Sequence, residues 1–396
     1  MLNDARLARD TDSVGASSIV AEDRPITDSL NEWKSERLDR LDLEFLAEWT
    51  NGKIDAQTIK PQLENNPQEA VDMLQRVLFP AKTTPQTFRR TPKAVPLEGL
   101  SGKLRKRHEY TKLQKSYKDD CSKTAKEVMD NTWRCSTKGP ALKDVLPFWR
   151  ELLSKGSVQD TAVYPPPERV HWEIAEIITS DEVTRSLRGV KGVAGPDRLS
   201  WSQVKGVASE RLACLFNIWI AAARAPSALK EGLTTLIPKV QGSNDPAVFR
   251  PITVTSCLTR LYHRILARRF ENFVPISEMQ RGFRPGDGVG TNVSLLQAII
   301  RERTDPAKLR PLSVCYVDVK KAIDSVSHAS IFSALPSAGV PAPLVDYLRD
   351  LYSGSRTHLR VGHEISDPIQ VRQGVKQGDL LSCFLFNLVI DSCVKN

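Results

Sequence analysis

Apolar residues recur at intervals of three or four along several long stretches of the chain, a pattern typical of amphipathic helices packed against a core. The clearest stretches are residues 33–49, 67–79, 171–188, 208–223 and 257–272. Shorter stretches of the same kind predict helices at 142–155, 293–301, 329–335, 341–352 and within 377–394. The pattern therefore predicts a protein in which helices supply most of the core.

Two pairs of short runs break this periodicity and are rich in β-branched residues, as strands are. Residues 233–240 and 249–255 are joined by a turn-rich segment at 242–246, which predicts a hairpin with a longer loop. Residues 357–362 and 368–375 predict a second hairpin. Helices together with antiparallel strands indicate the α+β class.

A further strand is predicted at residues 312–317, where an apolar, partly β-branched run follows Pro311. The run leads to Asp318, although a solvated carboxylate does not normally end a buried strand. Two interpretations are open: Asp318 caps the turn that follows, or the edge of the sheet opens onto a functional site there. Taken alone, the pattern favours the cap.

Lys239 closes the first strand of the first predicted hairpin and Arg250 opens its second strand, so both side chains can project from one end. Two neighbouring cations repel each other unless an anion lies between them, and a triphosphate is such an anion. The alternative is that each is a solvated charge with its own acidic neighbour. Taken alone, the pattern favours this alternative.

The chain of 396 residues has a formal net charge of +9, a moderate excess that favours a polyanionic partner such as nucleic acid. Basic residues are concentrated on a predicted helix at 104–131, whose Tyr110, Leu113 and Tyr117 form an apolar stripe. Two interpretations are equally open: a solvated helix with its tyrosines in the core, or a helix that binds the backbone of RNA or DNA. The candidate phosphate contacts are Arg105, Lys106, Arg107 and Lys112.

Several other classes of protein are disfavoured. No apolar run approaches the roughly 20 residues that span a bilayer, so no membrane partner is expected. The first residues lack a secretory pattern, so we expect an intracellular protein, nuclear or cytoplasmic. The seven cysteines never occur as Cys-x-x-Cys, and zinc fingers are not indicated. Gly286-x-Gly288 is not a dinucleotide motif, because Thr291 replaces the third glycine, and it is predicted to be a turn before the next helix.

Four separated motifs occur in the order used by reverse transcriptases. They are LIPK (236–239) with FRPITV (249–254), QRGF (280–283), YVDVKKAID (316–324) and RQGVKQGDLLSCFLFN (372–387). Over about residues 170–394 the sequence resembles the polymerase of LINE-type (non-LTR) retrotransposable elements, especially the site-specific elements of ribosomal RNA genes. The resemblance implies an RNA-directed DNA polymerase that uses an RNA template, a DNA primer or target, and deoxynucleoside triphosphates.

The resemblance also implies a right-hand polymerase fold. A helical N-terminal extension (1–165) would precede the fingers (166–310) and an incomplete palm (311–396). Polymerases of this family use two Mg²⁺ ions, which prefer oxygen ligands and lie about 4 Å apart. Asp318 is then the first metal-binding carboxylate, with the Val319 carbonyl as a backbone ligand.

Further site residues follow from the same motifs. Lys239 and Arg250 match the positions that embrace the incoming triphosphate, and Gln377 and Gly378 match the loop along the nucleotide and the template base. Ile323 stands where the family usually has an aromatic residue that blocks a ribose 2′-hydroxyl, so the resemblance leaves the choice of sugar open.

One departure from the family lowers the expected activity. The family's second metal-binding element carries two adjacent aspartates, and the sequence has no Asp-Asp pair after Asp318. We expect these 396 residues alone to be inactive or nearly so, and the alternative function is that of a non-catalytic nucleic-acid-binding remnant. Asp324 is expected to cap the following turn or helix and not to bind metal.

Overall fold

The computed structural model describes residues 28–41, 43–80, 102–119, 125, 128–129, 140–156, 163–240, 243–305 and 311–395. These residues form helices and a five-stranded mixed sheet around two clusters of buried apolar side chains. The α+β class predicted from the sequence is therefore confirmed. Within these ranges no helix is both long and apolar enough to cross a bilayer.

The N-terminal part is helical. Its helices are α1 (Asp28–Asp39), α2 (Glu44–Trp49), α3 (Ala56–Asn65) and α4 (Pro67–Leu78). The pattern at 33–49 predicts one helix and the structure has two, because the chain turns between them to bury Leu43 together with Leu38 and Leu46. The helix predicted at 67–79 is confirmed by α4.

Further helices follow along the chain. They are α5 (Gly102–Asp119), α6 (Leu142–Ser154), α7 (Ser180–Leu187), α8 (Trp201–Lys205), α9 (Ser209–Ala222), α10 (Cys257–Phe273), α11 (Gly288–Thr304), α12 (Ala322–Ser325), α13 (His328–Ser337), α14 (Ala342–Ser353) and α15 (Leu380–Lys395).

Helices α9, α10 and α14 supply the aromatic centre of the larger cluster. Phe216 of α9 stacks on Tyr262 of α10 at 5.2 Å between ring centroids, and Tyr347 of α14 meets Tyr262 edge-on at 5.1 Å. The predictions at 208–223 and 257–272 are confirmed.

The prediction of one helix over 171–188 is wrong in its first half. A 3₁₀ turn at Trp172–Ala175 is followed by α7, which begins with a capping box between Thr179 and Glu182. The guanidinium of Arg269 on α10 donates to the backbone carbonyls of Ile174, in the 3₁₀ turn, and of Glu176 and Ile177, which follow it. Because these carbonyls bond to Arg269, they do not accept from the amides of a continuous helix. The helical spacing of apolar residues therefore runs on across a break in the helix.

The sheet confirms the first predicted hairpin. Its strands are β1 (Glu231–Pro238), β2 (Phe249–Val254), β3 (Arg356–Val361), β4 (Glu364–Ile365) and β5 (Ile369–Gln370). Their order is β2-β1-β3-β4, with β5 also paired to β3; β1 is antiparallel to β2 and parallel to β3. The second predicted hairpin is only partly correct, because the return at 368–375 forms two paired residues. After β5, the amides of Arg372 and Gly374 donate instead to Leu153 and Val326.

Helix α6 packs against this sheet. Val145, Trp149 and Leu153 lie in one buried cluster with Phe249 of β2 and Leu359 of β3. The Trp149 side chain has no exposed surface. A helix far upstream in the chain therefore supports the sheet at the start of β2, next to Arg250.

The predicted buried strand at 312–317 is wrong. Residues 311–319 form no regular secondary structure, and the side chains of Tyr316 and Val317 are 81% and 83% exposed. An apolar run becomes a buried strand only where neighbouring strands satisfy its backbone hydrogen bonds. None of the described strands pairs with these residues, so the run that leads to Asp318 lies in solvent.

The two tyrosines of the apolar stripe on the basic helix are also exposed, while Leu113 between them is partly buried. In α5, Tyr110 is 64% exposed and Tyr117 is 51% exposed, and Leu104 is exposed as well. The interpretation that placed these tyrosines in the core is therefore wrong. Beyond α5, most of the predicted helix at 120–131 lies outside the described residues.

The exposed stretch predicts a difference in thiol reactivity. Cys315 is exposed, whereas Cys257 is fully buried and burial raises the pKa of its thiol. Because the thiolate is the reactive form, iodoacetamide should alkylate Cys315 in the folded chain about tenfold or more faster than Cys257. Peptide mass spectrometry of a labelling time course measures both rates. Equal protection of the two thiols would contradict the exposed position of residues 311–319.

Candidate functional site

The end of the β1–β2 hairpin carries two of the candidate residues. Ile237 of β1 lies opposite Arg250 of β2, and just beyond β1 the amide of Lys239 donates to the carbonyl of Val248 at 2.9 Å. The side chains of Lys239 and Arg250 are both exposed. The antiparallel register therefore places two cations at one end of the hairpin, as the sequence predicts.

Lys321 holds the turn that follows Asp318 in place through its side-chain contacts. Its backbone adopts φ +54°, a left-handed conformation that side-chain-bearing residues rarely take. Its Nζ donates to the carbonyl of Phe249 at 3.1 Å and lies 4.4 Å from the ring centroid of Trp149. Burial lowers the pKa of Lys321, while the charge of Asp324 opposes that effect. This lysine therefore ties the turn to the start of β2.

The loop at 373–379 lies against the same elements because it contains two glycines. Gly374 has φ +79°, and a Cβ there would lie 2.6 Å from the carbonyl oxygen of Asp324. Gly378 has φ +118°, and a Cβ there would lie 2.7 Å from the carbonyl oxygen of Thr253. Any side chain at either position would collide with backbone atoms, so the close approach requires glycine.

Backbone hydrogen bonds join this loop to α12 and to β2. The amide of Val375 donates to the carbonyl of Ile323 at 3.0 Å, and the amide of Thr253 donates to the carbonyl of Gln377 at 2.7 Å. The Ile323 side chain is half-buried and packs partly against the larger core cluster. These bonds hold the loop at Val375 and at Gln377, and Gln377 and Gly378 run beside the end of β2.

Asp324 is the buried carboxylate of this region. It is 6% exposed, and its Oδ1 accepts a hydrogen bond from Nε2 of Gln377 at 2.5 Å. Burial raises the pKa of Asp324, and the bond from Gln377 works in the opposite direction. The expectation that Asp324 caps the next turn or helix is wrong, since the cap of α13 is Ser327, whose hydroxyl accepts from the amide of Ser330.

Beneath the loop lies a second group of buried polar side chains. Lys376 is 7% exposed and donates to the carbonyl of Lys230 at 3.3 Å; burial lowers the pKa of its ammonium to about 8, against the charge of Asp379. Asp379 is hydrogen-bonded to Nδ1 of His263, whose Nε2 lies 3.2 Å from the hydroxyl of Tyr347. These contacts anchor the base of the loop to α10 and α14.

Most of the predicted nucleotide-site residues surround β2 and its neighbours. These residues are Lys239, Arg250, Ile323, Gln377 and Gly378. Asp318 and Val319 lie in the exposed stretch just before Lys321, so they reach the same region along the chain but are not fixed by a strand.

The predicted phosphate contacts lie apart from this group, on α5. Lys106 and Arg107 are exposed there, and α5 shows no extensive packing against the other elements that the structure describes. For Arg105 and Lys112 the backbone is helical, but their side chains lie outside the described part of the structure. The helix therefore presents at least two cations beside the exposed rings of Tyr110 and Tyr117.

The described residues do not fit a two-metal centre by themselves. Among them, no group of three or more His, Cys, Asp and Glu side chains is close enough to hold a metal ion. Asp318 offers one exposed carboxylate with the Val319 carbonyl beside it, and the carboxylate of Asp324 is already engaged by Gln377. Two Mg²⁺ ions need more oxygen ligands than this. Asp318 is thus one potential ligand among others that a complete centre requires.

Sequence reasoning missed two contacts that shape the site. Trp149 and Lys321 are far apart in the chain, and nothing in either local pattern indicates that they meet. Asp324 and Gln377 both lie in recognised motifs, yet only the fold reveals the hydrogen bond between them. Motif order could have suggested that the two segments are neighbours, but not which side chains join them.

Comparison with known proteins gives a consistent result. Residues 237–396 match the reverse transcriptase (RNA-dependent DNA polymerase) family. The chain is 31% identical over 297 residues to a Pol polyprotein from a type-1 retrotransposable element R2 of Bradysia coprophila, covering 74% of this chain and 34% of that protein. It is 32% identical over 302 residues to the corresponding R2 polyprotein of Nasonia vitripennis, covering 74% and 28%.

A type-2 element gives a similar match. The chain is 28% identical over 328 residues to the Pol polyprotein of the type-2 element R2DM of Drosophila melanogaster, covering 80% of this chain and 29% of that protein. The chain thus spans about a third of the length of the curated relatives it matches. The similarity extends well upstream of residue 237, so it includes helices that precede the sheet.

The buried ammonium of Lys376 predicts a pH-dependent stability difference. An unfolded lysine has a pKa near 10.4 and Lys376 has one of about 8 in the folded chain. Between these values the unfolded state holds more protons, so this residue makes the free energy of unfolding rise with pH. Lys376→Met should therefore stabilise the chain at pH 7, and this advantage should shrink as the pH rises from 8 to 10.

Urea unfolding of both proteins at pH 7, 8, 9 and 10 measures this difference. Lys320→Met, at an exposed position, is the matched control and should give no pH-dependent difference. A Lys376→Met variant that is less stable at pH 7 and equally so at pH 10 would contradict the buried position of the charge.

Proposed function

We propose that this chain, which belongs to the R2-like reverse transcriptases of LINE-type retrotransposable elements, forms the fingers and part of the palm of an RNA-directed DNA polymerase. The fingers correspond to residues 166–310 and the palm to residues 311–396, behind a helical N-terminal extension at 1–165. Its substrates are an RNA template, a DNA primer or target, and deoxynucleoside triphosphates. Nucleotidyl transfer joins the primer 3′-oxygen to the α-phosphorus and releases pyrophosphate.

The observation that carries this proposal is the convergence of Lys239, Arg250 and the Gln377–Gly378 loop around β2. Two exposed cations at one hairpin end suit the charge of a triphosphate, and charge-assisted hydrogen bonds to phosphate are among the stronger polar contacts. The loop lies further along β2, where the carbonyl of Gln377 accepts from the amide of Thr253, and it can lie along a flat nucleotide. These residues bind and orient the nucleotide in the proposed function.

A divalent metal ion, in our proposal Mg²⁺, would supply charge neutralisation at the phosphates. Asp318, with the Val319 carbonyl, would provide one ligand set for it. The 396 residues contain no Asp-Asp pair after Asp318, so further carboxylates must complete the centre. We therefore propose that these residues alone bind substrates but extend primers little or not at all.

The test is template-directed nucleotide binding. With a 3′-deoxy-terminated DNA primer on an RNA template that presents adenine, the chain should bind dTTP more tightly than dGTP. Lys239→Ala should weaken dTTP binding by about tenfold, because a charge-assisted contact is lost. Asp318→Ala should remove the additional tightening that Mg²⁺ provides. Titration with fluorescently labelled primer–template reports the dissociation constants.

Arg356→Ala is the matched control, since Arg356 is an exposed cation on β3 that pairs with the start of β1, at the opposite end from Lys239. It should leave dTTP binding unchanged. Equal binding of dTTP and dGTP, or equal losses in the Lys239 and Arg356 variants, would sink the proposed nucleotide site.

A second function, non-catalytic nucleic-acid binding, is favoured by the exposed surface of α5. Lys106 and Arg107 lie on the same helix as the exposed rings of Tyr110 and Tyr117. Exposed aromatic rings stack on unpaired bases, while nearby cations contact phosphates. This function is compatible with the first one and would place the RNA on the N-terminal extension.

Salt dependence tests the second function. Binding of a single-stranded RNA should weaken as salt rises, and Lys106→Ala with Arg107→Ala should reduce the slope of log affinity against log salt by about 1.4, roughly 0.7 for each lost phosphate contact. The control pair is Lys53→Ala with Arg76→Ala: Lys53 is exposed in the turn between α2 and α3, and Arg76 is exposed on α4. The same change in slope for both pairs would show that α5 has no particular role.

A further inference from the structure

A closed series of contacts runs from one end of β2 to the other. At the start of β2, the carbonyl of Phe249 accepts from Nζ of Lys321. Lys321 immediately precedes α12, which contains Asp324, and Asp324 accepts from the side chain of Gln377. The carbonyl of Gln377 then accepts from the amide of Thr253 near the end of β2. Arg250 lies on β2 between these two attachment points.

The hydrogen bond between Asp324 and Gln377 is the contact in this series in which both partners are side chains, so both can be changed by substitution. Its length is 2.5 Å, and Asp324 is 6% exposed, so the bond is largely protected from competition by water. The other links either involve the backbone or rest on the glycines that allow close approach. A change at this bond therefore alters how α12 and the loop are placed without removing a glycine or a strand.

The same bond limits what the Gln377 side chain can do. Its amide nitrogen is directed at Asp324, and its backbone carbonyl is occupied by Thr253. The bond fixes the orientation of the side-chain amide, so any contact of that amide with a template base is restricted to its second N–H and its Oε1. What the side chain can do is hold the Gln377–Gly378 peptide at a fixed distance from α12, and hence from the turn that follows Asp318.

We propose that Asp324 is a positioning residue: its hydrogen bond to Gln377 fixes the position of the loop at 373–379 relative to Arg250 and to the turn after Asp318. The proposal rests on the proposed function, because its consequence is tighter binding of a deoxynucleoside triphosphate. In this proposal Gln377 holds the loop in position through Asp324, which we call its bracing role, and does not contact a base directly. The essential property is the bond itself and not the identity of either side chain.

An exchange of the two polar groups tests this directly. Gln377→Glu places two carboxylates against each other and should weaken dTTP binding, measured with the terminated primer on its RNA template, by about tenfold to 100-fold. Asp324→Asn keeps an oxygen acceptor for Gln377 and should weaken it by only about threefold. In the double variant the asparagine amide donates to the new glutamate, so binding should return to within about threefold of the unmodified chain.

Gln370→Glu provides the matched control for the added charge. Gln370 lies on β5 and its side-chain amide donates to the carbonyl of Ser353, away from Asp324. Combined with Asp324→Asn, it should show no rescue. The thermal midpoint of each variant is measured in parallel, and where Gln377→Glu does not fold, Gln377→Ala replaces it and the double variant is compared with the unmodified chain.

The outcomes separate the two levels of the proposal. Rescue by the double variant supports the bracing role, since a glutamate could not replace a glutamine that donates to a base. Binding of dTTP by the unmodified chain without rescue would overturn the bracing role and leave the nucleotide site standing. No binding of dTTP by the unmodified chain would overturn the nucleotide site and the positioning role together.

Discussion

The antiparallel pairing of β1 with β2 is the constraint on which the candidate site depends. It fixes Ile237 opposite Arg250, and through that register it brings Lys239 to the same end of the hairpin. A shift of one residue would turn the side chain of Arg250 to the other face of the sheet. The opposite edge of β2 is then free to accept the loop, whose Gln377 carbonyl receives the amide of Thr253. One short strand thus organises segments that are distant in the sequence.

Local sequence patterns predicted correctly the elements that local interactions stabilise. They failed where contacts with residues distant in the sequence determine the structure. The helical periodicity at 208–223 and 257–272 and the turn-rich loop of the first hairpin predicted the right elements. The run at 312–317 has the composition of a buried strand, but a strand also needs neighbours, and no described strand pairs with it. Asp324 meets Gln377 across 53 residues, so neither motif alone reveals the bond. The motifs predicted which segments matter, and the fold determined their contacts.

The charges of the site favour an anion that is not part of the described residues. Lys239 and Arg250 are exposed, and Lys321 is held nearby between the carbonyl of Phe249 and the ring of Trp149. The buried carboxylate of Asp324 offsets only part of this positive charge, and its hydrogen bond to Gln377 reduces its availability as a metal ligand. Because close cations repel each other, a polyphosphate bound as in the proposed function would stabilise this arrangement.

Asp318 combines chemical suitability with loose placement. Its carboxylate is the right kind of ligand for Mg²⁺, but it lies in an exposed stretch whose backbone is not fixed by a sheet. Ordering each such residue costs roughly 1–2 kcal/mol of conformational entropy, so a ligand on this stretch binds metal more weakly than the same ligand on a paired strand. Lys321 limits that cost, because it fixes the chain three residues after Asp318. In the proposed function the nucleotide contacts are therefore better preorganised than the metal ligand, and an element that pairs with residues 311–319 would strengthen metal binding without changing a metal ligand.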